Sequence, residues 1–166
     1  MAALPDAEKL CEQLARELRP RVGAASAMVG IHTGGAWVAE RLHAALKLKE
    51  PLGLLDPAFY RDDYARQGLA KDPKRSKIPF EVEGKDLLLV DDVLYTGRTV
   101  RAAMNELFDY GRPASIALAV LAERDGRQLP VCAQFAGAKV QVPAGMRLRL
   151  KRDGAGRLSL ELERAG

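Results

Sequence analysis

Two cysteines in 166 residues, Cys11 and Cys132, are too few for a disulfide framework. Cys11 also falls on an expected helix, which favours a reducing cytoplasm. Aromatic residues make up only 5% of the chain, so a base-stacking platform for single-stranded nucleic acid has little support. No apolar run approaches the roughly 18 residues of a membrane span, and the first residues lack the apolar core of a signal peptide. The chain is therefore expected to be cytoplasmic, with no membrane partner. It has no internal repeat, low-complexity tract or linker, so residues 1–166 are expected to form one domain. What remains is the composition of a globular protein, 48% hydrophobic and 29% charged, with a net charge of +4 that favours anionic partners without choosing among them.

The periodicities alternate. Asp6 to Leu18 reads as an amphipathic helix with Leu10, Leu14 and Leu18 on one stripe and Pro20 beyond it. Ser26 to Ile31 reads as a strand and Ala36 to Leu46 as a helix. Short strands are expected around Leu52 to Leu55 and at Phe59 to Tyr60. Leu87 to Val90 comes next as a central strand, then Arg98 to Phe108 as a helix and Ser115 to Leu121 as another buried strand. Such alternation calls for an α/β fold with a mostly parallel sheet covered on both faces. The last residues differ: Arg147 to Lys151 and Arg157 to Leu162 alternate polar and apolar around Asp153-Gly154-Ala155-Gly156, a hairpin pattern.

The most informative run is Leu87 to Arg101, LLLVDDVLYTGRTVR. Four apolar residues without alternation fit a fully buried strand. Asp91 and Asp92 stand where it should end. Thr96-Gly97-Arg98-Thr99 comes next, then a helical face of Val100, Ala103, Met104 and Leu107. Ligands of open α/β sheets sit outside the carboxyl ends of the strands, which is where this order puts every polar group. Gly97 permits a tight turn, and the free amides of the helix start, with the Thr96 and Thr99 hydroxyls, make an anion site suited to a phosphomonoester. A lone Thr-Gly-x-Thr is more often an ordinary capped corner. Two adjacent carboxylates change that reading. They would repel a bare phosphate, and they make sense if the ligand also presents sugar hydroxyls or a magnesium ion, Mg2+. Phosphoribosyl pyrophosphate meets all of these demands.

These residues, continued as LLLVDDVLYTGRTVRAA, resemble the signature of type I phosphoribosyltransferases, and most closely that of the PyrR family. Val29 to Gly35 resembles that family's pyrophosphate loop, and Phe59-Tyr60-Arg61-Asp62-Asp63 its Tyr-Arg-Asp-Asp segment. Gly111 to Ser115, Ala119 to Leu121, Glu123-Arg124 and Leu129-Pro130 resemble the family's stretch beyond the phosphate helix. The likeness runs from about residue 26 to about 143. It implies a type I phosphoribosyltransferase fold with a small hood. It also implies transfer of phosphoribosyl to uracil, giving UMP and pyrophosphate, and UMP-responsive regulation of pyrimidine genes through leader mRNA (transcription attenuation). A homodimer or higher homo-oligomer is implied as well. Two alternatives stay open: an RNA-binding regulator with a nucleotide-sensing pocket, or a phosphoribosyltransferase for another base.

The resemblance assigns roles residue by residue. Asp91 and Asp92 would hold the ribose hydroxyls and, directly or through water, Mg2+. Arg61 would neutralise pyrophosphate or close over it. Tyr95, Thr96, Gly97, Arg98 and Thr99 would surround the 5-phosphate, and His32, Thr33, Gly34 and Gly35 the pyrophosphate. Many PyrR members read Lys-Thr-Arg-Gly in that loop, and here His32 and Gly35 replace its two permanent cations. The segment Arg61 to Gly84 carries many charges around Gly68, Pro73 and Pro79, the pattern of a solvated loop. The resemblance makes it a mobile lid. Hypoxanthine-guanine enzymes place an acid just before the Thr-Gly, against the purine's imidazole ring. Tyr95 stands there instead, which is compatible with uracil, although a packing role would explain it equally well. Uracil would be read by main-chain groups around Glu123 and Arg124. For RNA the chain offers Arg16, Arg19, Arg21, Arg147, Arg149, Lys151, Arg152 and Arg157, scattered and without interleaved aromatics.

Overall fold

The computed structural model describes residues 3–57 and 76–166. Helix α1 (Ala7–Leu18) starts where the Asp6 carboxylate accepts the amides of Glu8 and Lys9, and it buries the Leu10, Leu14 and Leu18 stripe. A turn of 3-10 helix, Arg19–Arg21, ends it. Strand β1 (Ser26–Ile31) is buried at all of its positions, as a strand covered on both faces must be. Helix α2 (Gly34–Leu46) is next, then β2 (Gly53–Leu55), β3 (Asp86–Leu94), α3 (Arg98–Phe108), β4 (Ser115–Glu123) and β5 (Phe135–Lys139). The antiparallel pair β6 (Met146–Arg152) and β7 (Leu158–Arg164) closes the chain.

The five strands β1 to β5 form one parallel sheet in the order β2-β1-β3-β4-β5. Met28, Leu88, Val90, Ala119 and Leu121 pack on one face against α1, α2 and leucines of the hairpin. Ala27, Val29, Ile31, Leu87, Leu89, Leu118 and Val120 pack on the other, against Val100, Ala103 and Leu107 of α3. Strand order runs one way from β1 to β2 and the other way through β3, β4 and β5. The gap between the carboxyl ends of β1 and β3 is therefore the switch point at which such sheets bind ligands.

One expectation needs correction, one strand went unseen, and one segment is described only in part. The central strand does not stop at Val90: β3 stays paired with β4 as far as Leu94↔Glu123, whereas its pairing with β1 ends at Gly30↔Val90. The partner ladder outweighs the poor strand propensity of aspartate. Strand β5, Phe-Ala-Gly-Ala-Lys, has no β-branched residue and gave no periodic signal. Of the expected loop Arg61 to Gly84, residues 61–75 lie outside the described residues, as do Phe59 and Tyr60. Residues 76–84 form a loop with one face on the core: Lys77 bridges Leu54 through two main-chain bonds of 2.7 Å, Ile78 and Phe80 pack on the core and Val82 is buried, while Pro79, Glu81, Glu83 and Gly84 are exposed.

The hairpin turns where the Asp153 carboxylate accepts the amides of Ala155 and Arg157. It docks through Leu148, Leu150, Leu158 and Leu160. Glu8 on α1 fastens it, accepting the Leu158 amide at 2.7 Å and pairing with Arg41, which also donates to the Gly156 carbonyl. Arg41 holds the Glu8 carboxyl below its usual range. Among the described residues no helix is long and apolar enough to cross a membrane.

Candidate active site

The site is built from two strand-loop-helix corners set side by side. In the first, β1 gives way to His32 and Thr33, and α2 opens on Gly34 and Gly35. The His32 amide donates to the Leu55 carbonyl at 2.8 Å, which ties the loop to β2. The peptide between His32 and Thr33 is cis. The glycines are there for lack of space. A Cβ on Gly35 would stand 2.7 Å from the Val90 carbonyl oxygen and 2.9 Å from the Asp91 Cα, both main chain. A Cβ on Gly34 would collide with the Asp92 carboxylate. Position 35 thus has no room for any side chain. Set against Lys-Thr-Arg-Gly, His32-Thr33-Gly34-Gly35 has the arginine's place at position 34, and the expectation that Gly35 replaces a cation is corrected accordingly.

The second corner carries the acids. Asp91 is 6% exposed and Asp92 half-buried. Both lie in the part of β3 that β1 has already left. There the carboxylates occupy main-chain donors: Asp91 Oδ1 accepts the Asp92 amide at 2.8 Å, and Asp92 Oδ1 accepts the Val93 amide at 2.7 Å. Asp92 Oδ2 leans against Gly34, so one carboxylate touches both corners. Beyond Leu94, Tyr95 is exposed and Thr96 half-buried. Gly97 takes the left-handed conformation at φ 95° and is buried against Val131 and Leu129. Arg98 starts α3 with its amide on Thr96 Oγ1 at 3.2 Å, and the Arg101 amide makes the first helical bond, to the Gly97 carbonyl. The amides of Thr99 and Val100 belong to the first helical turn, whose donors have no intrahelical partner and suit an anion, and Thr99 is half-buried.

A third segment, the loop after β4, holds the second corner in shape. The Arg124 amide donates to the Leu94 carbonyl at 3.1 Å, and the Gln128 and Leu129 amides both donate to the Thr96 carbonyl. Arg98 Nε donates to Gln128 Oε1 at 2.9 Å. Arg127, which sequence reasoning missed, donates to the Tyr95 and Val131 carbonyls and pairs with Glu123 at 3.5 Å. A single arginine in a charged loop carries no signal that would have singled it out.

The corners therefore bring together His32 to Gly35, Asp91, Asp92, Tyr95 to Thr99 and Glu123-Arg124 at the carboxyl ends of β1, β3 and β4, which are adjacent in the sheet. Arg61 lies outside the described residues. The acid pair fits magnesium, which is commonly held by one or two carboxylates together with water and substrate phosphates. Among the described residues no cluster of three or more ligating side chains exists, and a substrate-borne ion needs none.

Known proteins agree with this geometry. Residues 2–142 match the model of the phosphoribosyl transferase domain. Two solved structures share the fold. One is a hypoxanthine phosphoribosyltransferase from Staphylococcus aureus, 21% identical, with a TM-score of 0.63 over 84% of this chain and 74% of that one. The other is a hypoxanthine-guanine phosphoribosyltransferase from Bacillus anthracis, 18% identical, with a TM-score of 0.64 over 88% and 85%. Fold and crevice together define a type I phosphoribosyltransferase. In sequence, the chain is 46% identical over 165 residues to the bifunctional protein PyrR of Pseudomonas syringae pv. syringae, covering 97% of this chain and 96% of that one. To the bifunctional protein PyrR of Ralstonia nicotianae it is 48% identical over 155 residues, 91% and 88% of the two chains. The chain belongs to the PyrR family.

Proposed function

We propose that this phosphoribosyltransferase joins uracil to phosphoribosyl pyrophosphate, giving UMP and pyrophosphate, and that it also binds pyrimidine-operon leader mRNA in response to UMP. The observation that carries the catalytic half is the carboxylate pair wedged between two anion-suited corners at the sheet's switch point. The 5-phosphate sits on the amides and hydroxyls of Thr96 to Thr99. Asp91 and Asp92 take the ribose diol. Pyrophosphate lies along the main chain from His32 to Gly35, with Arg61 as its cation. Asp91 and Asp92 would hold magnesium, in part through water, and it would supply charge neutralisation for the departing group. As the bond from the anomeric carbon to the pyrophosphate oxygen breaks, the carboxylates stabilise the positive charge that develops on the sugar. Uracil bonds through N1 to that carbon, and its N1 proton passes to an oxygen of the departing pyrophosphate. The purine enzymes among the structural relatives share the fold alone and do not decide the base. Tyr95 in place of an acid before Thr96 is what favours a pyrimidine.

The regulatory half rests on family membership. The cations of the hairpin do not favour it: Arg147, Arg149 and Lys151 all converge on Glu163 at 3.0, 3.4 and 2.6 Å, and Arg157 pairs with Asp6 at 3.4 Å. Lys151, then the two arginines, hold the Glu163 carboxyl down to about 2. A folded RNA would have to be met through shape and phosphates, across a homodimer or higher homo-oligomer. We read residues 1–166 as a single cytoplasmic domain, in keeping with two cysteines that are both free thiols. The deciding experiment measures pyrophosphate released with uracil, hypoxanthine, guanine or orotate as acceptor. Release with uracil alone supports the proposal, and release with a purine or orotate instead overturns it. A leader RNA whose binding is salt-dependent and strengthened by UMP tests the second role.

A further inference from the structure

Tyr95, Arg124 and Met146 come from three parts of the chain and meet at the β4 side of the crevice. The Tyr95 ring is 45% exposed. The Arg124 guanidinium lies over that ring, 3.9 Å from its centroid, and its NH1 donates to the Met146 carbonyl at 3.3 Å. The root of the arginine is fixed, because its amide is bonded to the Leu94 carbonyl. The ring is braced too: a Cβ on Gly126 would collide with it, and Arg127 holds the Tyr95 carbonyl. A rigid aromatic platform beside a main-chain acceptor is thus occupied by a flat, cationic N–H donor. Arg124 has somewhere else to go. Cavities of about 580 and 380 Å³ adjoin it, and both are lined by Asp125 and Gln141, so a displaced guanidinium meets a carboxylate there. Glu123, its neighbour in sequence, is engaged by Arg127 and does not restrain it.

We propose that Arg124 is a placeholder. In this structure its guanidinium holds the position that the acceptor base takes on the Tyr95 ring, and its withdrawal frees the Met146 carbonyl to accept an N–H of that base. Guanidinium and uracil share the relevant chemistry: both are planar, both present N–H donors at an edge, and both pack on an aromatic face. With N1 of uracil committed to the sugar, N3–H is the donor left for Met146. Base recognition by a main-chain carbonyl also explains why no side chain in the sequence identifies the base. The inference rests on the phosphoribosyltransferase reading with uracil as acceptor, and it adds that substrate and arginine compete for one place.

Steady-state kinetics with each substrate varied separately test it. Arg124→Met keeps the aliphatic stem and removes the competitor. The KM for uracil should fall about 3- to 10-fold, the scale of a cation–π contact, while the KM for the donor moves less than about 2-fold. In a Tyr95→Phe background, which keeps the ring, Arg124→Met should still lower the uracil KM. Tyr95→Leu should raise the uracil KM, and in that background Arg124→Met should no longer lower it. Arg124→Gln serves as a second variant if the methionine disturbs folding, with near-ultraviolet circular dichroism as the check. A rise in uracil KM on removing the guanidinium, or no change, overturns the placeholder. If the unaltered protein releases pyrophosphate with another base only, the uracil reading fails while the same KM comparison, made with that base, still judges the placeholder.

Discussion

The corners β1–α2 and β3–α3 share a plan, strand then glycine loop then helix, yet their glycines answer to different demands. Gly97 is required by its own backbone, which at φ 95° suits no side chain well. Gly34 and Gly35 have ordinary backbone and are required by their neighbour: the main chain of β3 and the Asp92 carboxylate fill the space a Cβ would take. The first corner is therefore shaped around the second. A sequence reader meets two similar glycine loops, but only one is set by local turn chemistry. The other is set by a strand more than fifty residues away in the chain.

That difference can be broken in a graded series. Gly35→Ala should do the most damage, because the new methyl meets backbone at 2.7 and 2.9 Å. Overpacking of this kind costs about 1–3 kcal/mol, read as a lower midpoint in urea, with turnover lost as β3 shifts. Asp92→Asn comes next. It should leave the urea midpoint nearly unchanged and cut turnover about 10- to 100-fold, the worth of one hydrogen bond to a charged group. If full turnover survives, the acid pair has no part in the mechanism. Gly34→Ala pushes only on the end of the Asp92 side chain, which can swing aside. A turnover loss of about 10-fold or less, with stability held, would show that Asp92 is positioned by the first corner.

The smallest effect is a control taken from the far end of α3. Glu106 is 8% exposed, and its Oε2 has no hydrogen-bond partner. Burial raises its carboxyl above the ordinary 4.5, the charges of Asp56 and Asp109 raise it further, and a hydrogen bond from Ser76 opposes them. The folded protein thus keeps this proton to higher pH than the unfolded chain does. Its contribution to stability is complete below 4.5 and is lost as pH climbs through the raised value. Glu106→Gln should abolish that loss, leaving the variant the more stable protein at pH 8 and the two alike at pH 4, by urea melts of both proteins. Turnover should change little, because the groups that act on Glu106 are Ser76, Asp56 and Asp109, none of them in the two corners.

Legibility tracked the range of each cause. Local causes could be read directly: the Leu87 to Val90 run, the Thr96 to Thr99 turn and the α3 face all stand where the sequence suggests, and α3 has the expected bounds. The leucine stripe of α1 was equally plain. The features that escaped depend on partners remote in sequence. Strand β3 continues through two aspartates because β4 runs beside it. Alanine and glycine in β5 become a strand because β4 has a free edge. Arg127 acquires its place from three segments, and Met146 contributes a carbonyl, which every residue possesses. The steric origin of Gly34 and Gly35 could not be seen without knowing that Asp92 lies opposite.

One bond carries a consequence for how the chain is made. Glu8 receives the amide of Leu158, and the leucines on both sides of that bond share one cluster. On the ribosome the first helix emerges early and can pack on α2 and the sheet, but the hairpin side of the cluster must wait for nearly the whole polypeptide. Closure over such a separation is slow in proportion to the loop that has to be gathered. Biosynthesis thus leaves this surface bare longest, and a chain stalled or cleaved before residue 158 presents it permanently to chaperones and proteases.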